Sequence, residues 1–284
     1  METSPAARRL TERFVAGETL EQELAVCARL QQDGLTATLD HLGENVTSLE
    51  EAEDARDVYL RALDQIEARA LPCTISLKLT QMGLDFSASA CIENVTALAQ
   101  RASQAGTRVE IDMESTAYTD RILRIVERVS RDTGCVRAVI QAYLHRSAGD
   151  IDRLNQLRIP VRLCKGAYKE PHSEAFSRKS DVDANYVKLM KALMDRGVDP
   201  AIATHDPAMQ SATLDYARER GITPEKFEFQ MLYGIRRDLQ GALAAAGHRV
   251  RLYVPYGTAW YPYFMRRLAE RPANVLFLAR NFFR

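Results

Sequence analysis

Short apolar runs rich in β-branched residues alternate with amphipathic stretches along almost the whole chain. The runs have the length and composition of buried strands, and the stretches repeat apolar residues every three to four positions, as helices do. The predicted strands are Thr36–Asp40, Thr74–Thr80, Arg108–Met113, Val136–Ala142, Pro160–Cys164, Pro200–Thr204, Phe227–Met231 and Arg249–Val254. The predicted helices between them include Leu49–Ala70, Ala88–Gln104, Thr119–Arg131, Val182–Arg196, Met209–Arg220 and Arg236–Ala246.

Glycines close several of these helices just before the next strand, where C-cap glycines are expected. They are Gly106, Gly134, Gly197, Gly221 and Gly247. Eight βα-sized units predict an α/β fold of the (β/α)₈ TIM-barrel type. An open doubly wound sheet is the alternative, but it usually carries a Gly-rich phosphate turn after its first strand, and the sequence has none. We expect a single domain over 1–284, with a short N-terminal helical segment at 1–34 and the barrel at 35–284.

The composition narrows the function classes. The 284 residues are 46% hydrophobic and 27% charged, as in ordinary globular proteins. Lys+Arg and Asp+Glu both number 38, and a zero net charge argues against non-specific nucleic-acid binding. The five cysteines form no C-x-x-C and no zinc-like spacing with histidine, so we expect no metal site, and free thiols favour the cytoplasm. We also expect no transmembrane segment and no signal peptide.

Polar residues follow or end the predicted strands, where a barrel enzyme carries its active site. Lys78 and Arg162 are embedded in strand runs, and a cation inside a barrel needs an anionic partner. Asp112, on the next predicted strand, is the obvious counter-charge for Lys78. A purely structural salt bridge is the other interpretation. The remaining polar positions at strand ends include Asp40, His41, Glu44, Gln81, Glu114, Gln141, Lys165, Thr204, His205, Asp206, Gln230 and Tyr253.

Cations and aromatic rings dominate this predicted mouth. The cations are Lys78, Arg162, Lys165, Arg266 and Arg267. They suit an anionic ligand, and the turn Lys165-Gly166-Ala167 could present backbone N–H groups to a phosphate. Tyrosines and Trp260 offer flat walls for a ring. The pattern favours a nucleotide cofactor together with a small carboxylic acid.

Seven ordered motifs, from about Leu35 to the end of the chain, resemble proline dehydrogenase. They are Ser76-Leu-Lys-Leu-Thr, Ile111-Asp-Met-Glu, Gln141-Ala-Tyr-Leu, Val161-Arg-Leu-Cys-Lys-Gly-Ala-Tyr, Ala203-Thr-His-Asp, Phe227-Glu-Phe-Gln-Met-Leu-Tyr-Gly and Tyr263-Phe-Met-Arg-Arg-Leu. The stretch from Trp260 resembles the monofunctional bacterial branch. The resemblance implies a distorted (βα)₈ barrel that binds FAD at its mouth, oxidises L-proline to Δ¹-pyrroline-5-carboxylate, and has a final helix over the mouth.

The resemblance also implies roles for individual residues. Asp112 and Arg162 match catalytic positions. Substrate-binding positions match Lys78, Tyr253, Tyr263, Arg266 and Arg267, of which the Arg pair clamps the carboxylate. Flavin-contacting positions match Met113, Gln141, Arg162, Lys165, Gly166, Ala167, Thr204 and His205. Family members close the site with an Arg–Glu ion pair, and our hypothesis for this chain is Arg162 with Glu44. No side chain stands out as the base for the amine proton.

The implied partners are a membrane quinone as electron acceptor and a pyrroline-5-carboxylate dehydrogenase, with peripheral contact at the inner face of the cell membrane. The residues also leave two other functions open. A barrel lysine such as Lys78 or Lys165 could form an imine, as in a Schiff-base aldolase. Alternatively, the chain could be a non-catalytic proline-binding barrel.

Overall fold

The computed structural model describes residues 13–43 and 46–269, apart from the side chains of residues 264 and 266–269. Its helices are α1 (Leu20–Gln32), α2 (Leu49–Ala68), α3 (Ala88–Gln104), α4 (Thr116–Thr133), α5 (Ser147–Gln156), α6 (Lys179–Arg196), α7 (Pro207–Arg220), α8 (Arg237–Ala245) and α9 (Trp260–Ala269). Its strands are β1 (Thr36–His41), β2 (Cys73–Leu77), β3 (Val109–Ile111), β4 (Val136–Gln141), β5 (Val161–Cys164), β6 (Ala201–Ala203), β7 (Glu228–Leu232) and β8 (Val250–Tyr256).

The eight strands form a closed parallel barrel in chain order, which confirms the predicted fold class. Thr38 of β1 pairs with Thr74 of β2 on one side and with Tyr253 of β8 on the other, so the first and last strands seal the barrel. Parallel strands need a crossover between neighbours, and each crossover here contains a helix. All strands therefore direct their carboxyl ends to the same mouth.

Helix α1 occupies a place that a regular barrel would give to its last helix. It starts with a capping box, in which the Thr19 side chain accepts from the backbone of Gln22 and the Gln22 side chain accepts from the backbone of Thr19. Its face contacts β1 and β8, and Leu24, Cys27 and Leu30 enter the main apolar core. With this position filled from the N-terminal side, α9 is available to pack near the mouth, which accounts for the expected distortion.

The predicted elements agree with the observed ones within a few residues at most ends. One helix, α5, was not predicted, because its ten residues include Gly149 and few apolar positions. Gly134 and Gly221 end α4 and α7 in the left-handed conformation, as expected for C-cap glycines. Gly197 also closes α6 at the C-cap, as predicted, but in an extended conformation with a φ of −73°.

Among the described residues, no helix is long and apolar enough to cross a membrane. Buried side chains from α1 and from the barrel strands and helices belong to one continuous apolar cluster. The assignment of all 284 residues to a single domain stays a prediction.

Candidate active site

A cleft of about 700 Å³ opens at the carboxyl ends of the strands. This size lies within the range of roughly 300–1,000 Å³ that is usual for ligand and cofactor pockets. Its described walls contain these predicted site residues: Lys78, Asp112, Met113, Gln141, Arg162, Lys165, Gly166, Ala167, Thr204, His205, Tyr253 and Tyr263. The structure thus gathers at one cleft residues that the sequence places up to 185 positions apart, from Lys78 to Tyr263.

Asp112, just beyond β3, is the centre of the hydrogen bonds at the floor of the cleft. Its carboxylate accepts from the Ser76 hydroxyl at 2.9 Å, from Arg162 Nη1 at 2.8 Å and from the Tyr253 hydroxyl at 2.8 Å. The Arg162 guanidinium also lies over the Tyr253 ring, 5.4 Å from its centroid. We expected Asp112 to pair with Lys78; the structure gives it Arg162 as a counter-charge.

Burial and charge fix the protonation of two of these groups. Burial alone would lower the pKa of Arg162, but Glu110 and Asp112 outweigh it and raise that pKa above its usual value. The pKa of Tyr253 is raised well above its usual value by burial and by the Asp112 carboxylate. The guanidinium therefore stays charged, and the phenol stays a hydrogen-bond donor.

A second layer of charges lies below this floor, inside the barrel. Glu110 accepts from Arg162 and, at 3.3 Å, from Arg137, which also donates to Glu228 and, at 2.7 Å, to Asp199. Arg137, Glu110 and Glu228 are each at most 1% exposed. Burial alone would raise the pKa of Glu110, but Arg162 and Arg137 lower it to about 2. Arg251 also donates to Glu228, at 3.2 Å. The sequence interpretation missed this layer, although Glu110, Glu228 and Arg251 each lie two positions before a residue singled out at a strand end.

The turn after β5 is held by the end of β4. The Gln141 side chain donates to the carbonyl of Glu114 at 3.0 Å and accepts from the Ala167 N–H at 3.1 Å. Gly166 has a φ of +131°, and a Cβ there would lie 2.2 Å from the Tyr143 ring. Position 166 therefore needs glycine both for its backbone conformation and for the close approach of Tyr143.

Lys165 lines the cleft, but its amine is paired with carboxylates. Its amine donates to Asp183 and, at 2.7 Å, to Asp206, and Lys179 donates to the same two carboxylates. The hydrogen bond from Lys165 lowers the pKa of Asp206. Burial alone would raise the pKa of Asp183, but Lys165 and Lys179 outweigh it and lower the pKa. Asp183 and Lys179 were not predicted as part of the site, because they lie on α6, away from any strand end in the sequence.

Thr204 and His205 follow β6 and are tied to neighbouring backbone. Thr204 Oγ1 accepts from the Asp206 N–H at 3.0 Å, and His205 Nε2 accepts from the Leu232 N–H at 2.8 Å. A histidine nitrogen that accepts a hydrogen bond carries no proton, so the proton of the ring lies on Nδ1.

Helix α9 reaches the cleft through Tyr263, which is 6% exposed and packs with Val15 and Leu42. Positions 266 and 267 follow it by three and four residues and so share its side of the helix. The side chains of Arg266 and Arg267 lie outside the described residues, as does Glu44. The Arg162–Glu44 gate stays a hypothesis, and the described partners of Arg162 are Glu110, Asp112 and Ser76.

The cleft is less one-sidedly positive than the sequence predicted. Among the described residues that line it, five are Lys or Arg and three are Asp. The excess of cations over carboxylates in the lining still favours an anionic ligand, although Arg162, Lys165, Lys179 and Arg236 are each paired with a carboxylate. Within the described ranges, no three His, Cys, Asp or Glu residues cluster in a way that could hold a metal ion.

Comparisons with known proteins agree with this geometry. The family model described as proline dehydrogenase matches residues 24–280. Proline dehydrogenase 2 of Bacillus subtilis is 42% identical over 265 residues, covering 93% of this chain and 88% of the relative. Proline dehydrogenase of Deinococcus radiodurans is 37% identical over 277 residues, covering 96% and 89% respectively.

The bifunctional protein PutA of Salmonella typhimurium is 28% identical over 320 residues, and this chain covers only 24% of it. A solved structure of proline utilization A from Bdellovibrio bacteriovorus, inactivated by N-propargylglycine, superposes with a TM-score of 0.86 at 25% identity. That match covers 92% of this chain and 32% of the solved one. The chain therefore belongs to the proline dehydrogenase family, and it matches short bacterial members over most of their length.

Proposed function

We propose that this protein oxidises L-proline to Δ¹-pyrroline-5-carboxylate with FAD as its cofactor and a membrane quinone as the electron acceptor. Oxidation of proline follows from the family. The finer assignment is supported above all by the Asp112–Arg162–Tyr253 cluster at the floor of a cleft that contains the described residues expected at the site.

The donor set of the cleft fits a dinucleotide flavin. Met113, Val139, Met231 and Leu232 provide apolar walls for a flat ring. Gly166 and Ala167 place backbone at the wall, and Lys165, Lys179 and Arg236 provide cations for phosphates. We assign FAD contacts to Met113, Gln141, Arg162, Lys165, Gly166, Ala167, Thr204 and His205. Since the Gln141 amide is bonded to Ala167 and Glu114, part of its role is to hold the turn after β5.

Bound FAD supplies the acceptor for the hydride that leaves the ring carbon next to the proline nitrogen. The chain supplies orientation and charge. Arg162 stays cationic and is fixed by Asp112, so it can stabilise negative charge that develops beside it. Asp112 acts by fixing Arg162 and Tyr253 in place, and the amine proton of the substrate leaves to solvent.

Proline itself would be held by its carboxylate. We assign this contact to Arg266, Arg267 and Lys78, because bidentate arginine matches a carboxylate and Lys78 lines the same cleft. Tyr253 and Tyr263 would pack on the ring of the substrate. Holding both ends of so small a molecule places the reacting carbon in one position, which is a large part of the rate enhancement.

The electrons would leave to a quinone at the inner face of the cell membrane, through peripheral contact. A pyrroline-5-carboxylate dehydrogenase would consume the product. Both partners rest on the resemblance to the family.

The structure gives no support to an imine at Lys165, because its amine is already bonded to Asp183 and Asp206. A direct assay separates the open alternatives. The purified protein with FAD, L-proline and a soluble quinone should produce Δ¹-pyrroline-5-carboxylate, detectable by NMR, and should be inactivated by N-propargylglycine. Binding of proline without quinone reduction would instead indicate a non-catalytic barrel, and trapping by borohydride at a lysine would indicate an aldolase.

A further inference from the structure

The loop between β5 and α6 carries part of the cleft wall and is secured at several points. Gly166, Ala167 and Tyr168 of this loop line the cleft. Its first residues are fixed by Gln141, and a later stretch pairs with the loop after β4, where Leu144 bridges to Ala175. The intervening tip, which directly follows Tyr168, needs a separate anchor.

Glu170 provides that anchor by bonding to the start of α4. Its Oε1 accepts from the Thr116 backbone N–H at 2.9 Å, and its Oε2 accepts from the Thr116 hydroxyl at 2.6 Å. The residues are 54 positions apart in the sequence. Charge-assisted hydrogen bonds of this length are about twice as strong as neutral ones.

The start of α4 lacks a local cap that could replace Glu170. Ser115 occupies the N-cap position but its side chain makes no capping hydrogen bond. The first N–H groups of a helix have no partner within the helix, and the positive end of the helix dipole favours a carboxylate. Glu170 thus caps α4 from a distant loop.

The same bond joins two parts of the cleft. Thr116 follows Asp112 and Met113 by a few residues, and Glu170 follows Tyr168 by two, so the bond spans the end of β4 that lies between them. We propose that Glu170 is a positioning residue for the cofactor, which holds the Gly166–Tyr168 wall at its distance from the Asp112–Met113 wall. This inference rests on the proposed FAD-dependent function.

The test compares FAD binding by the unmodified protein and four variants, which are three single variants and one double variant. Glu170→Gln removes the charge and one of the two accepting oxygens. Thr116→Pro removes both donors, while proline is well tolerated at the first position of a helix and Ser115 already has the extended backbone that precedes proline. Glu174→Gln removes a charge from an exposed position of the same loop and is the control.

We expect E170Q and T116P each to raise the dissociation constant of FAD by on the order of tenfold, as for a typical coupling between sites. The E170Q/T116P double variant should bind FAD with the same dissociation constant as the single variants, because the two substitutions remove the same interaction. With saturating FAD, the KM for proline should change less than twofold. Melting temperatures, measured in parallel, separate this effect from loss of fold.

Unchanged FAD binding in E170Q, an equal loss in E174Q, or additive losses in the double variant would each overturn the inference. A lower melting temperature with unchanged FAD affinity would reduce Glu170 to a helix cap, which also overturns it. If the unmodified protein binds no FAD, the proposed function fails instead, so the two failures are distinguishable.

Discussion

Asp112 holds three side chains at the floor of the cleft, because Ser76, Arg162 and Tyr253 all donate to it. In Asp112→Asn the charge opposite Arg162 is lost, and the amide cannot accept on both sides. We expect kcat/KM for proline to fall by roughly 10- to 100-fold, the range seen when a supporting partner of a site is removed. Quinone reduction with saturating FAD measures it.

The matched control is Ser76→Ala, which removes only one of the three donors to Asp112. Its loss of kcat/KM should be clearly smaller than that of D112N. Equal activity of D112N and the unmodified protein would show that Asp112 does not orient the site.

Glu23 is a buried carboxyl group outside the cleft, on α1. It is 0% exposed, and its pKa is raised well above the usual value by burial and by the nearby Asp40 carboxylate. At pH values above its ordinary pKa of 4.5, the unfolded chain releases this proton while the folded protein keeps it. The contribution of Glu23 to stability is therefore present at low pH and lost as the pH rises.

Glu23→Gln keeps the shape of the side chain and cannot ionise. Its free energy of unfolding should exceed that of the unmodified protein by an amount that grows with pH above 4.5, by at most about 1.4 kcal/mol per pH unit. Urea unfolding at several pH values measures the difference. Glu53→Gln, at an exposed position of α2, is the control, and a pH-independent difference for E23Q would contradict this account.

At the residue scale, sequence reasoning identified the strand-end residues but not all their partners. It found Asp112 and Tyr253 at the ends of predicted strands, and Arg162 as a cation embedded in a strand of the predicted barrel. It could not find Asp183, Lys179 or Glu170, since they lie on a helix or loop whose fold over the mouth no local pattern reveals.

At the scale of elements, β3, β4 and β7 meet inside the barrel through charges rather than apolar side chains alone. Glu110 and Arg137 are register partners on neighbouring strands, and Glu228 reaches Arg137 from across the lumen. Alternate residues of a barrel strand point inward. A charged residue two positions before a strand-end site residue could therefore have been predicted to lie inside the barrel.

Removing Arg137 should leave Glu110 and Glu228 with one buried cation fewer, since among the described ion pairs only Arg162 remains with Glu110 and only Arg249 and Arg251 remain with Glu228. Arg137→Met is therefore expected to lower the free energy of unfolding by about 3–5 kcal/mol, the usual cost of breaking a buried ion pair. Arg128→Met breaks an exposed pair with Asp132 on α4 and should cost less than about 1 kcal/mol. Urea unfolding measures the free energy of unfolding of both variants. An equal loss in R137M and R128M would contradict a structural role for the buried layer.

The same layer predicts an acid sensitivity. The pKa of Glu110 is lowered to about 2 from an ordinary value of 4.5, so its contribution to stability is present above pH 4.5 and lost as the pH falls toward 2. R137M should show a weaker loss of stability over this pH range than the unmodified protein, because its Glu110 has one cation fewer. An identical loss in both proteins would assign the acid sensitivity to other carboxylates.

At the scale of the whole molecule, the fold could be predicted from the sequence, because every strand is followed by a helix and the local patterns agree with a barrel. The position of α1 against β1 and β8 could not be predicted, because a helical pattern does not show which strands the helix covers. Nor could the sequence show that Lys165 is paired with two carboxylates, since Asp183 and Asp206 meet it only after three separate segments fold together.

The central claim is that the cleft oxidises L-proline with a bound flavin. The most direct measurement is an anaerobic titration of the FAD-loaded protein with L-proline, followed through the visible absorption of oxidised flavin. The account predicts that the flavin band bleaches with proline and returns when a quinone is added. A protein that takes up FAD but keeps the oxidised spectrum at saturating proline would contradict it.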